Sequence, residues 1–257
     1  MQRIVIVGSG NLAEALAQAV ARSGLDLVQL FARNPQRGPE VARLAGTAWT
    51  ADPQQLAEAD VYLLCVSDRA VAEVAASLPV PTGAVVAHTA GSVPIDALKR
   101  FPLRAVFYPL QTFTRGRAVD FRQIPLFLEC STPALREPLE AFARQLSDTV
   151  LFADSAQRAR LHLAGVFACN FANALYGAGA AILRDAGLGF DLLKPLIAET
   201  AAKACDAASP ADVQTGPAVR GDRPTLERHA RMLSGQPDLA AIYETISHYI
   251  WEISKRT

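Results

Sequence analysis

The sequence has no surplus of charge, no clustered cysteines and no histidine-rich stretch, and each absence removes a class of function. Its 25 basic and 25 acidic side chains balance to a formal net charge of zero, so no general field draws the chain to nucleic acid or to an anionic membrane surface. The four cysteines, Cys65, Cys130, Cys169 and Cys205, stand far apart, form no CxxC pair and lie in apolar runs. That is the pattern of reduced, buried thiols, not of a disulfide framework. Four scattered histidines and four isolated cysteines give no ligand spacing of a known metal site, so no metal is expected. The N-terminus runs from Met1 directly into Arg3-Ile4-Val5-Ile6-Val7, without the charged, apolar and small-residue regions of an export signal. A cytoplasmic protein acting on small molecules is the expectation that remains.

One stretch approaches the length needed to cross a bilayer: Leu163 to Leu183 carries no charged side chain. It holds Asn170 and Asn173 in its middle and is otherwise rich in Ala and Gly, and polar groups at mid-span are costly in lipid. A closely packed protein helix is expected there, and no membrane.

With 51% hydrophobic residues in 257, the chain has material for two modest domains. Short β-branched or apolar runs alternate with Ala-rich helical segments in the first part, the pattern of a parallel sheet wrapped by helices. Strands are predicted near 3–7, 27–32, 61–66, 84–88 and 104–108, with helices near 11–23, 36–45, 69–77 and 95–100. Two further strands, Pro125 to Cys130 and Thr149 to Ala153, flank a predicted helix at 133–146. After Asp154 the spacing turns wholly helical, with helices predicted near 156–185, 191–207, 223–233 and 238–254. The fold class is therefore α/β, a doubly wound, mainly parallel Rossmann sheet over 1–153, followed by an all-helical domain over 154–257.

Gly8-Ser9-Gly10-Asn11-Leu12-Ala13 follows the first strand and opens the first helix, the setting in which a GxGxxA pattern binds a dinucleotide. Gly8 permits the tight turn, Gly10 the approach of a pyrophosphate and Ala13 close packing of helix on sheet, while the helix N-terminus offers N–H groups to phosphate. The second strand ends in Phe31-Ala32-Arg33-Asn34-Pro35-Gln36-Arg37. It lacks the acid that would hold the ribose diol of NAD; Arg33 and Arg37, with Asn34 beside them, instead suit a 2′-phosphate. NADP(H) is therefore the expected cofactor. Val66-Ser67 ends the 61–66 strand where such a domain passes the second ribose, and Ser67 can either reach the cofactor or cap the next helix.

The same residues resemble the NADP-binding half of pyrroline-5-carboxylate reductases, ketopantoate reductases and β-hydroxyacid dehydrogenases. His88-Thr89-Ala90-Gly91-Ser92-Val93, Tyr108-Pro109-Leu110-Gln111-Thr112-Phe113, Asn170-Phe171-Ala172-Asn173, and Thr215-Gly216-Pro217 with Arg220-Gly221-Asp222 resemble a narrower bacterial family. That family is Rossmann-like, with a helical C-terminal domain of unknown function. The resemblance spans nearly the whole chain and implies an NADP-dependent oxidoreductase that dimerises through its helical half. Ala90 and Tyr108 stand where that family is expected to carry Ser and His. The lysine that β-hydroxyacid dehydrogenases place one helical turn before an asparagine has no counterpart, since Val166 precedes Asn170 by that turn.

Hydride transfer asks the protein to hold an acceptor carbon against the nicotinamide and to polarise or protonate a C=O or C=N bond. His88 and Thr89, at the end of a hydrophobic strand, and Asn170, an amide on an apolar helix, are the candidate catalytic groups. Gln111, Thr112, Asn173 and Arg220 are candidate substrate contacts. His162, two turns before Asn170, can face the same cleft, which is expected between the domains, and His229 is a possible companion of Arg220. Asp222 is expected to cap a helix with Pro224 in its first turn. Two readings stay open: a reductase of a small carbonyl or imine compound, and a non-catalytic NADP(H)-binding module that reports cofactor state to a partner.

Overall fold

The first strand, β1 (Arg3–Val7), is apolar after Arg3 and buried from Ile4 to Val7, as a central parallel strand covered on both faces must be. A computed structural model of the protein describes residues 1–255 and places β1 inside an eight-stranded sheet. The other strands are β2 (Asp26–Phe31), β3 (Ala48–Thr50), β4 (Val61–Leu64), β5 (Val85–His88), β6 (Arg104–Pro109), β7 (Leu126–Cys130) and β8 (Val150–Phe152). Their order is β3-β2-β1-β4-β5-β6-β7-β8, parallel throughout except for the antiparallel pair β6 and β7. Strand order reverses between β1 and β4, which makes the carboxyl edge there the topological switch point where doubly wound sheets bind ligands.

Alternation along the strands divides the core between the two faces. Ile4, Ile6, Leu63 and Ala87 pack on one side with the helices α1 (Asn11–Arg22), α2 (Arg37–Ala45) and α4 (Pro133–Ala143). Val5, Val7, Tyr62, Leu64 and Val86 pack on the other with α3 (Val71–Ser77) and the short turn at Ile95–Leu98. The seven predicted strands are all present. The missing one, β3, is a three-residue edge strand whose Trp49 donates its indole N–H to the Ala32 carbonyl at 3.0 Å. The helix predicted at 95–100 is only a 3-10 turn.

The helix predicted over 156–185 is observed as α5 (Ser155–Gly165), a π-helical stretch (Val166–Phe171) and α6 (Ala172–Asp185). Asp154 starts α5 with a capping box, accepting the Gln157 amide at 2.7 Å while Gln157 Oε1 accepts the Asp154 amide at 3.0 Å. Two compact units divide between Asn170 and Phe171, so α5 and most of the π stretch belong with the sheet. The second unit holds α6, α7 (Lys194–Asp206), α8 (Arg223–Met232) and α9 (Pro237–Ser254). Asp222 caps α8 by accepting the Thr225 amide at 3.2 Å, with Pro224 in the first turn. Among the described residues of this unit the only buried apolar side chains are Ala218 and Leu233.

Candidate cofactor site and the adjoining pocket

Gly8 sits at φ +126°, and a Cβ there would stand 2.2 Å from the Cys65 carbonyl oxygen, so only glycine lets β1 turn beside the end of β4. Gly10 is different. Its φ of −73° suits any residue, and a Cβ would meet no atom within 4 Å. Gly10 is the N-cap of α1, and no side chain caps the first-turn amides. Open space before an uncapped helix N-terminus at the switch point fits a pyrophosphate, because backbone N–H groups and the helix dipole both favour the anion. Asn11 Nδ2 donates to the Phe113 carbonyl at 3.0 Å, tying the loop after β6 to the head of α1. Ser9 and Leu12 flank this turn.

At the end of β2, Arg33 is 72% exposed and has Glu73 at 3.6 Å as a loose partner, leaving its guanidinium available to a phosphate. Asn34 Oδ1 accepts the amides of Gln36 and Arg37 at 3.0 and 2.8 Å, so its side-chain oxygen is engaged at the start of α2. Arg37, expected at the 2′-phosphate, is turned inward, 13% exposed, and paired with Glu14 and Glu40. Burial works against its charge, but the two carboxylates outweigh that and raise its pKa. Arg115 grips Glu40 with two contacts of 2.9 and 2.8 Å; together with Arg37 it holds the Glu40 carboxyl below its ordinary range. Glu14 also accepts the Gly116 amide at 3.0 Å. A buried Glu14 between Arg37 and the 111–117 loop is a structural clasp, which leaves Arg33 as the exposed guanidinium at the end of β2.

Val66 and Ser67 follow β4. Ser67 makes no side-chain cap bond to the turn it precedes and is exposed, and Asp68 instead accepts from the Ser92 hydroxyl.

The first unit contains a cavity of about 660 Å³ at the carboxyl edge of the sheet. Asn11 and Leu12 of the glycine-rich turn line it, with Thr89 after β5, Tyr108 of β6, Gln111 and Thr112 after it, and α5 with the π stretch from Leu161 to Asn170. Thr89, Asn170, Gln111 and Thr112 are thus brought together. Thr89 donates its hydroxyl to the Leu64 carbonyl at 3.2 Å, and Gln111 Oε1 accepts the Thr112 amide at 2.8 Å. Asn170 owes its position to the π stretch, whose wider turn re-aims side chains relative to an α-helix and recurs at functional sites. A second cavity of about 600 Å³, between Met1, Asp60, Val85 and Pro138, lies at the amino edge of the sheet, away from the glycine-rich turn.

His88 is not where a proton donor must be. It shares the Val86 face of β5, is fully buried and does not line the cavity. Its Nδ1 accepts the Ala90 amide at 3.2 Å, and Nε2 is sealed beside the Pro94 carbonyl without a well-formed hydrogen bond. Burial, helped by the nearby Arg158 charge, pushes the imidazole down to about 4, so it is neutral near pH 7. The expectation of a catalytic His88 is corrected: the alternation of an interior strand turns it into the core.

The histidine at the cavity is His162. Its Nδ1 lies 3.1 Å from the Tyr108 hydroxyl, the rings meeting edge to face with centroids 6.1 Å apart. Gly91 makes room for the pair, since a Cβ there would come within 2.7 Å of His162 Nδ1 and 2.8 Å of Tyr108 Cζ. Burial, reinforced by the Asp68 carboxylate and opposed by Arg158, raises the Tyr108 phenol above its ordinary value, which keeps it protonated. The sequence signals for this pair were the Tyr108 departure and the two-turn spacing of His162 from Asn170. Asn173 and Arg220 belong to the second unit, as does His229, whose Nδ1 is 2.8 Å from the Tyr243 hydroxyl.

A buried ion pair joins Arg158 of α5, 1% exposed, to Glu129 of β7. Ser155 donates to Glu129 Oε2 at 2.9 Å and accepts the Ile95 amide at 3.2 Å, and Arg158 also donates to the Val93 carbonyl. This network fastens α5 to the loop that follows β5. Among the described residues no cluster of His, Cys, Asp or Glu has the grouping of a metal site.

Residues 3–91 match the family model described as NADP oxidoreductase, coenzyme F420-dependent, and residues 124–250 match the domain of unknown function DUF2520. No curated protein matches the sequence. Among solved structures, the putative NADP oxidoreductase BF3122 from Bacteroides fragilis is 40% identical, with TM-score 0.91 and 98% of each chain covered. Protein TM1727 from Thermotoga maritima, 23% identical, covers 98% of this chain and 99% of its own with TM-score 0.83. The imine reductase of Streptomyces aurantiacus shares the fold at 15% identity, with TM-score 0.64 over 99% of this chain and 94% of its own. The open glycine-rich turn, the exposed Arg33 and these likenesses agree: the chain belongs to the Rossmann-like NADP oxidoreductases that carry the C-terminal domain DUF2520, and it binds NADP(H).

Proposed function

We propose that the protein uses NADPH to reduce a small, uncharged carbonyl or imine compound held in the cavity beside the glycine-rich turn. The observation that carries this reading is the cavity lining, which joins Asn11 and Leu12 of the cofactor turn to Thr89, Tyr108, Gln111, His162 and Asn170 without one carboxylate, lysine or arginine. Val166 lines it where β-hydroxyacid dehydrogenases would have their lysine. A carboxylate-bearing acceptor would lack a counter-charge there, and an unpaired charge is costly in such a site. Gly8, Ser9, Gly10, Asn11 and Leu12 would hold the pyrophosphate, Arg33 and Asn34 the 2′-phosphate, and Val66 and Ser67 the ribose nearer the reacting ring. When bound, NADPH supplies a hydride. Thr89, Gln111, Thr112 and Asn170 orient the acceptor, and the apolar wall of Leu110, Phe113 and Leu161 excludes water.

The test is NADPH oxidation with 1-pyrroline and benzaldehyde as uncharged acceptors, beside pyrroline-5-carboxylate and glyoxylate as charged ones. Turnover confined to the uncharged pair supports the reading. NADPH binding with background oxidation by every acceptor would favour the non-catalytic module instead.

The second unit supports a proposal of its own. Met232, Leu192, Leu196 and Tyr249 are each more than 60% exposed, and apolar side chains left uncovered in this way support an interface there. Ser155–Asp185 is also long and apolar enough to cross a membrane by length and composition, but Asn170 and Asn173 lie at its middle. A second copy of the chain is the proposed cover, giving a cytoplasmic homodimer with reduced cysteines. Light scattering in detergent-free buffer should return twice the 27.4 kDa chain mass; a monomer, or extraction only with membranes, would refute it.

A further inference from the structure

Reduction of a C=O or C=N bond needs a proton at the heteroatom as well as a hydride at carbon, and the cavity has few groups able to give one. Asn170 and Gln111 carry amides and do not titrate. Thr89 has its hydroxyl directed to the Leu64 carbonyl. His88 is closed off in the core. The Thr112 hydroxyl and the Cys169 thiol also line the cavity, but Tyr108 and His162 are coupled to one another there, a buried phenol and a half-buried imidazole, 3.1 Å apart, both on the cavity wall.

We infer that Tyr108 is the proton donor to the reduced bond and that His162 aligns and recharges it. With the proton of His162 on Nδ1, the imidazole donates to Oη, and the phenolic hydrogen is left free to point at the acceptor. As the acceptor carbon receives the hydride, its π pair moves to the heteroatom, which takes the Tyr108 proton. The partly exposed imidazole takes a proton from solvent at Nε2 as it passes its Nδ1 proton to the phenolate, so no imidazolate forms, and exchange with solvent returns the neutral ring to its Nδ1–H form. The net change is NADPH plus one proton plus C=X to NADP⁺ plus HC–XH, so electrons and atoms balance with no further reactant. Gly91 belongs to the same device. Its missing side chain is the space in which the two rings meet, and any Cβ would strike both.

The inference rests on the reductase reading, and the experiments separate the two. Imidazole ¹⁵N spectra need no substrate: wild type should show His162 with its proton on Nδ1, and Tyr108→Phe should lose that preference. A wild-type His162 with the proton on Nε2, accepting from Tyr108 instead, overturns the assignment. In turnover, with 1-pyrroline as acceptor, Tyr108→Phe should lower kcat at least 100-fold and leave NADPH affinity within twofold. His162→Ala should lose about tenfold and recover with millimolar imidazole, which a merely structural role would not allow. Full activity of Tyr108→Phe in an enzyme that reduces 1-pyrroline overturns the proton-donor role alone. Absence of turnover in wild type overturns the reductase reading, and the tautomer spectra then still decide the arrangement of the pair.

Discussion

Gly10→Ala separates the fold's need for glycine from the cofactor's. The site has φ −73° and ψ −178°, and an added Cβ finds no atom within 4 Å, so alanine fits the apo protein without strain. Two small terms oppose each other. Fewer unfolded conformations stabilise alanine by about 0.4–1 kcal/mol, while loss of a good N-cap residue costs a few tenths or more. The apo protein should therefore stay within about 1 kcal/mol of wild type. The methyl group, however, occupies the space before the α1 amides, so phosphate can no longer approach them. At NADPH one hundred times its dissociation constant, wild type gains about 2.7 kcal/mol by mass action, a rise in Tm of several degrees for a unit of this size. Thermal unfolding with and without NADPH should show an unchanged apo transition in Gly10→Ala and no rise with NADPH. A full NADPH shift, or an apo transition lowered by many degrees, refutes this account of the turn. Gly8→Ala is the counterpart: its clash with the Cys65 carbonyl and positive φ should lower the apo transition itself.

Other expectations follow from single contacts. Arg33→Ala should weaken NADPH about tenfold, the scale of one charge-assisted phosphate bond, and leave NADH unchanged; equal loss of both nucleotides in fluorescence titrations would move the 2′-phosphate elsewhere. His88 is depressed from 6.5 to about 4 in the fold, so as pH falls below 6.5 the unfolded chain binds a proton that the native core refuses. Stability should drop by about 2 kcal/mol from pH 8 to pH 5 on this account; His88→Asn, which can still accept the Ala90 amide, should flatten that slope in urea unfolding, and an unchanged slope would contradict the burial. Glu129→Leu strands the Arg158 charge and should cost about 3–5 kcal/mol, with much of it regained in Glu129→Leu/Arg158→Met; a mild single variant would mean that the pair is well solvated.

The parallel sheet was legible because buried strands such as Ile4–Val7 and Val61–Leu64 are continuous apolar runs between helical periods. The edge strand Ala48–Thr50 was not, being three residues held by Trp49 to the Ala32 carbonyl and by pairing with β2. The glycine-rich turn and Arg33 were legible from their position after a strand. Arg37 was misread because the composition at the end of β2 carries no sign that Glu14, on the preceding helix, turns it inward. His88 showed the same limit: one residue of alternation decides between core and cavity, and strand ends blur that alternation. A π stretch has no compositional signature, so the break in the predicted 156–185 helix was not readable, although Asn170 itself was expected at a cleft from its place on an apolar helix. Tyr108 and His162, 54 residues apart, meet only through the register of β6 against α5.

The most direct test of the central claim, that the cavity beside the cofactor turn is where reduction occurs, is to fill it. Ala168 lines the cavity on the π stretch, and Ala168→Trp should leave NADPH affinity within twofold while abolishing NADPH oxidation by 1-pyrroline. Oxidation at the wild-type rate in a correctly folded Ala168→Trp protein would contradict the account and place the acceptor elsewhere.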